Sequence, residues 1–153
     1  MQNRQRPLLT LIALTLAALP VTPAIPAEGG VTVDVTVTGL RNTKGRVIAC
    51  MTSDERRFPR CRDVEGSYKA NAAAADEMVL HFTGVIPGTY AIALLHDENE
   101  NGRADRALSM IPREGFGFSR DAPVRMGPPD FEDAAFPVGS ESLNQTIRMR
   151  YIL

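Results

Sequence analysis

Val31-Thr32-Val33-Asp34-Val35-Thr36-Val37-Thr38 alternates without a break. Successive side chains of a strand point to opposite faces, so the valines share one side and the threonines and Asp34 the other. This is a strand with one dry and one wet face. Gly39 to Gly45, with Asn42 and Lys44, carries turn chemistry, and Arg46 to Met51 reads as the partner strand of a hairpin. Met78, Leu80 and Phe82 alternate against Val79, His81 and Thr83, which puts His81 outward. Pro87-Gly88 turns the chain into Thr89 to Leu95, where Tyr90, Ile92 and Leu94 share a face that His96 continues. At that position the imidazole can cap the core edge or brace the turn after it. Leu143 to Leu153 alternates once more, as a long strand expected beside the first.

No helix of ordinary length is readable. Asn71 to Glu77 has helical composition but is too short to stand alone, so a turn or one helical turn is expected. Gly102 to Pro137 loses periodicity: prolines and glycines punctuate it, and Phe116, Phe118, Phe131 and Phe136 are interleaved. Four phenylalanines argue for packing, so an ordered loop over one end of the body is expected. The fold class is all-β, one antiparallel immunoglobulin-like or prealbumin-like sandwich with a long irregular loop.

At the N-terminus, Arg4 and Arg6 precede the apolar run Leu8 to Leu19 and a small-residue stretch broken by prolines. That is the layout of a secretory signal peptide, residues 1–27, with cleavage after Ala24 or Ala27 and the domain over residues 28–153. The run is too short to span a bilayer, and a periplasmic or secreted location is expected. Losing Arg4 and Arg6 leaves 15 basic against 18 acidic side chains, a net charge of −3. Such a surface is poor equipment for nucleic acid. The basic cluster Arg56, Arg57, Arg60 and Arg62 lies among acids and reads as a solvated loop, with phosphate binding as the alternative. The two cysteines of the chain, Cys50 and Cys61, suit a structural disulfide in an exported protein. They lack the C-x-x-C spacing of a redox pair.

Chemistry concentrates in His96-Asp97-Glu98-Asn99-Glu100-Asn101-Gly102-Arg103-Ala104-Asp105. Oxygen-bearing side chains at Asp97, Asn99 and Asn101, then Gly102, the Arg103 carbonyl and Asp105, follow the order of an EF-hand calcium loop. The bidentate glutamate of its last position is missing, because Leu108 stands there. A carboxylate must then be borrowed from Glu114, Asp130, Glu132 or Asp133, and affinity falls in the range of 10⁻⁴ to 10⁻³ M. Asp, Asn and Gly are also the favoured turn residues, so a metal-free Asx turn stands beside the calcium expectation.

Four pieces resemble a bacterial exported family catalogued only as a domain of unknown function. They are His96-Asp97-Glu98-Asn99-x-Asn101-Gly102, Ile111-Pro112-Arg113-Glu114-Gly115-Phe116-Gly117-Phe118-Ser119, Gly127-Pro128-Pro129-x-Phe131 and Ala134-Ala135-Phe136. Gly84-Val85-Ile86-Pro87-Gly88-Thr89-Tyr90 resembles the turn of transthyretin-like β-sandwiches. The resemblance implies a prealbumin-like or immunoglobulin-like sandwich exported to the periplasm and brings no activity with it.

The expectation is therefore a non-enzymatic binding or structural module, with calcium in the acidic loop as its one cofactor. His96, Glu114, Phe116, Phe118, Phe131, Glu132 and Asp133 would form its recognition end, facing an envelope protein or small ligand. The alternative is a periplasmic hydrolase using His96 as base beside Asp97, Asp105 or Glu114. It lacks a G-x-S-x-G elbow and leaves Ser109 or Ser119 as an unsupported nucleophile.

Overall fold

A computed structural model describes residues 29–107 and 111–153, so the expected leader lies outside the described residues. The chain runs β1 (Val31–Thr38), β2 (Arg46–Thr52), β3 (Tyr68–Ala73), β4 (Met78–Val85), β5 (Gly88–Asp97), β6 (Arg106–Ala107), β7 (Ile111–Pro112) and β8 (Gly115–Phe118). It closes with α1 (Phe131–Ala134), β9 (Phe136–Val138) and β10 (Leu143–Arg148). One main sheet has the order β10-β1-β4, the other has β3-β2-β5-β8 with β9 also on β5, and β6 and β7 pair as a separate two-stranded ribbon. The two main sheets face each other as an all-β sandwich.

The alternation of the sequence decides which faces meet. Val33, Val35 and Val37 from β1, Leu80 and Phe82 from β4, Val47 and Met51 from β2, and Ile92 and Leu94 from β5 form the central core. Each such side chain contributes about 1.5–3 kcal/mol by leaving water. Outward residues of the first sheet stay wet, His81 among them, with its Nδ1 2.7 Å from Asp34 Oδ1.

Three local expectations change. The last strand does lie on β1, but the pair is parallel, Val33 opposite Leu143 and Val37 opposite Ile147, and regular pairing ends at Arg148. The turn or helical turn expected at Asn71 to Glu77 is confined to residues 74–77, and Asn71 to Ala73 belong instead to β3, which pairs antiparallel with β2 from Arg46 to Met51. Tyr68, Ala70 and Ala72 turn towards the body while Lys69, Asn71 and Ala73 face water. A waiting strand edge outweighs the weak helical preference of alanine. Finally, the aperiodic segment contains β8, which extends the second sheet through Leu95 opposite Phe116 and Ala93 opposite Phe118. Its glycines punctuate no loop. They face inward, where a Cβ on Gly117 would stand 2.8 Å from Ile147 and one on Gly115 would overlap the Tyr151 ring.

The second sheet is unusual in having an apolar outer face. Ala91, Phe118, Ala122, Phe131 and Ala134 make a second, smaller core there, with Phe58 packed on it. Phe58 lies edge-on to Phe118 at 5.8 Å and to Phe131 at 6.0 Å. It is held over that face by the Cys50–Cys61 disulfide, whose Cα atoms are 5.7 Å apart.

One end of the sandwich is closed by a polar clasp. His96 is fully buried. Its Nδ1 accepts from the Tyr151 hydroxyl at 2.7 Å, and its Nε2–H donates to the Lys44 carbonyl at 2.8 Å. Tyr151 in turn accepts the Arg41 backbone N–H at 3.2 Å, and the Arg41 guanidinium sits 4.6 Å above its ring. That guanidinium grips both carboxylate oxygens of Glu98 and donates to the Arg113 carbonyl at 2.9 Å and to the Leu153 carbonyl. Hydrogen bonding from Arg41, then from Asn42, overcomes partial burial and lowers Glu98 from 4.5 to about 2.

Two outcomes follow from these contacts. Cys50→Ala/Cys61→Ala should lose about 2–3 kcal/mol in urea unfolding, because the unfolded chain regains the entropy of an open loop. Reductant should lower the wild-type melting point likewise and leave the variant unmoved. Glu98 binds a proton more weakly folded than unfolded, so its contribution is fully present above about pH 4.5 and is lost as pH falls through about 2. The stability gap between wild type and Glu98→Gln should therefore be widest near neutrality and shrink towards pH 2 in unfolding curves.

Candidate functional site

β5 changes character within two residues. Its apolar run ends at Leu95, His96 enters the clasp, and Asp97 is fully buried on the other face. Asp97 Oδ1 accepts the N–H of Asn101 at 3.1 Å, and Oδ2 accepts the N–H of Gly102 at 2.7 Å. Gly102 can offer that N–H because it adopts φ +73°, a conformation that a side chain would strain. Asn99 Oδ1 accepts the Asn101 N–H at 3.1 Å, and Asn101 Oδ1 accepts the Arg103 N–H at 2.8 Å. Asp97, Asn99 and Asn101 thus wind the loop inward around their own backbone.

Asp105 closes the ring. The Asn99 amide donates to it at 2.8 Å, and the Asn101 amide reaches both its oxygens at 3.0 Å. Hydrogen bonds from Asn101 and then Asn99 hold its carboxyl below the usual aspartate value. The backbone N–H of Asp105 donates to Glu114 Oε2 at 3.0 Å, bringing in the carboxylate just before β8. Glu114 is buried, and its Oε1 has no hydrogen-bond partner. Burial raises its pKa foremost and the negative charges of Asp97 and Asp105 raise it further, against the opposing backbone N–H groups of Asp105 and Glu98. Among the described residues, no ion pair involves Asp97, Asp105 or Glu114. Nor do three His, Cys, Asp or Glu side chains stand ready-spaced around a metal position. The arrangement is a carboxylate cluster whose positive partners are backbone N–H groups and two amides.

Beside this loop a groove of about 880 Å³ opens on the outer face of the second sheet. Ile48, Leu95 and Phe116 line it, Asp105 and Glu114 border it, and Arg60, Arg62, Arg106 and Arg125 stand around it.

Of the residues expected at the recognition end, Glu114, Phe116 and Phe118 line this groove. His96 is enclosed in the clasp, with both ring nitrogens engaged. Phe131 is buried in the smaller outer core, and Glu132 and Asp133 are exposed on α1. Ser119 is buried, accepting the Ile92 N–H at 2.9 Å and donating to the Ala134 carbonyl at 2.6 Å. Ser109 and Leu108 lie outside the described residues. Arg41, Glu98 and Tyr151 went unnoticed in sequence, since they meet across as many as 110 residues.

Among curated proteins nothing matches this chain. Among solved structures, a pilus-presented adhesin is similar at 11% identity with a TM-score of 0.32. The likeness covers 83% of this chain and 27% of the adhesin, so the chain spans about a quarter of that structure's length. Residues 35–146 match the family DUF2141, described as an uncharacterized protein conserved in bacteria. With most of the sandwich inside that match, the chain belongs to this uncharacterised bacterial family.

Proposed function

We propose that the protein is an exported, non-enzymatic binding module of the cell envelope, and that the acidic loop holds a calcium ion as a structural clip. The observation that carries this reading is the Glu114 carboxylate, buried beside Asp97 and Asp105 with one oxygen unpartnered. A buried carboxylate without a compensating charge costs several kcal/mol or takes up a proton. A divalent cation among Asp97, Asp105 and Glu114 would remove that cost and replace the Asn99 and Asn101 amides as partners of Asp105. All the donors are oxygens, from carboxylates, amides and the Arg103 carbonyl, which suits calcium and not zinc. Glu114 would supply the carboxylate that position 108 lacks.

The clip would fix the start of β8, and with it Phe116 beside the groove. The hydrolase alternative has less support. A general base must reach the proton it takes, and His96 is buried with neither ring nitrogen free.

Calcium titration followed by thermal melting tests the clip. With a dissociation constant of about 10⁻³ M, 10 mM calcium should stabilise by about 1.4 kcal/mol and raise the melting point by a few degrees. Glu114→Gln and Asp105→Asn should each abolish most of the rise, and magnesium should give less. A melting point unmoved at 10 mM calcium sinks the clip.

A further inference from the structure

The groove beside the loop has features that a cation does not use. Its floor is apolar: Ile48, Leu95 and Phe116 are only half-buried, although each stands on a regular strand of the sheet. The smaller core that seals the neighbouring part of this face reaches Phe116 at its edge and does not include Ile48 or Leu95. Around that floor stand guanidinium groups. Arg62 faces Asp63 at 4.0 Å. Arg60, Arg106 and Arg125 have no ion pair and no side-chain hydrogen bond among the described residues. Of the carboxylates bordering the groove, Asp63 faces Arg62, Asp105 is held by two asparagine amides, and Glu114 accepts the Asp105 N–H with one oxygen left unpaired on the side of the acidic loop. Away from that loop, the apolar surface at the bottom and the charges of Arg60 and Arg125 at the rim are unmatched.

We propose that this groove binds a single-chain fatty carboxylate, its hydrocarbon along Ile48, Leu95 and Phe116 and its head on Arg60 or Arg125. The volume of about 880 Å³ lies in the range that encloses small molecules. An alkyl chain needs apolar contact and no hydrogen-bond partners, which the floor supplies. A carboxylate suits the planar fork of arginine, and beside apolar surface such a pair is screened less than in open water. Of the basic cluster read from the sequence, Arg60 and Arg62 reach the groove, while Arg56 pairs with Asp54. The proposal rests on the binding-module reading but not on the calcium clip.

The experiment is calorimetric titration of the purified protein with dodecanoate, dodecanol and acetate, all in a calcium chelator. The chelator keeps the acid from precipitating and takes the cation loop out of the measurement. Dodecanoate should bind at one site, dodecanol about tenfold more weakly, and acetate not measurably. Arg60 and Arg125 are exposed, so Arg60→Gln and Arg125→Gln should fold normally. At least one should cost about fivefold or more in dodecanoate affinity and leave dodecanol unchanged. Equal binding of acid and alcohol, indifference to both substitutions, or no binding at all would each overturn the proposal. Because calcium is absent throughout, a failed melting test leaves this result standing, and a failed titration leaves the clip standing.

Discussion

Strand β5 has to bury both of its faces, and most of what distinguishes this sandwich follows. Its inner side, Tyr90, Ile92, Leu94 and His96, enters the central core and the clasp. Its outer side, Ala91, Ala93, Leu95 and Asp97, would be wet in an ordinary two-sheet sandwich, because an antiparallel sheet can leave one face to water. Here it is apolar until the last residue. The cystine loop and the segment around α1 supply the missing cover, and the small side chains of Ala91 and Ala93 leave room for Phe118 and Phe58 to close over them. The cover ends near Leu95. The groove is the part of the outer face that the cover does not reach.

The acidic loop begins where the apolar outer face ends, and its design differs from that of the opposite surface. His81 and Asp34 pair in solvent, where an ion pair is worth little and costs little. Asp97 is fully enclosed and depends on backbone N–H donors from its own loop. Glu114 is worse provided: its Oε2 accepts the Asp105 N–H and its Oε1 has no partner within hydrogen-bond geometry. Folded chains satisfy nearly all buried polar atoms, so an orphaned carboxylate oxygen marks a place where local stability gives way to something else. The clasp a few residues away shows the contrast. There Arg41 meets Glu98, Tyr151, Leu153 and Arg113 together, and every strong group has a partner.

Legibility in the sequence tracks how local the cause is. β1, β4 and β5 were readable because alternation over eight or more residues has no other simple explanation. The Asp97 to Asp105 loop was readable for the same reason, since its oxygens are spaced by the turn itself. β3 was hidden because alanines carry little strand signal, and only the edge of β2 draws them into line. β8 was hidden because Gly115 and Gly117 resemble loop residues, while their real role is to let Tyr151 and Ile147 approach. Among the four carboxylates that could complete the loop, sequence could not choose. β8 pairs beside the end of β5, and that geometry brings Glu114 to Asp105. The parallel β1–β10 pair and the Arg41 clasp join the two ends of the chain, and no local pattern encodes either.

Loop and groove are joined by the same two strands. Leu95 faces Phe116 and His96 faces Gly115 across the β5–β8 pair, while Asp97 and Glu114 stand at its open end. Glu114 directly precedes β8, so a cation that drew it towards Asp97 and Asp105 would also act on the position of Phe116. Burial first, and then the negative charges of Asp97 and Asp105, disfavour the ionised form of Glu114 at the head of β8. Linkage makes such a coupling reciprocal: if a bound cation raises the affinity of the groove for its occupant, the occupant raises the affinity of the loop for the cation by the same factor. Asp105 and Glu114 belong to both, so loop and groove share side chains as well as strands.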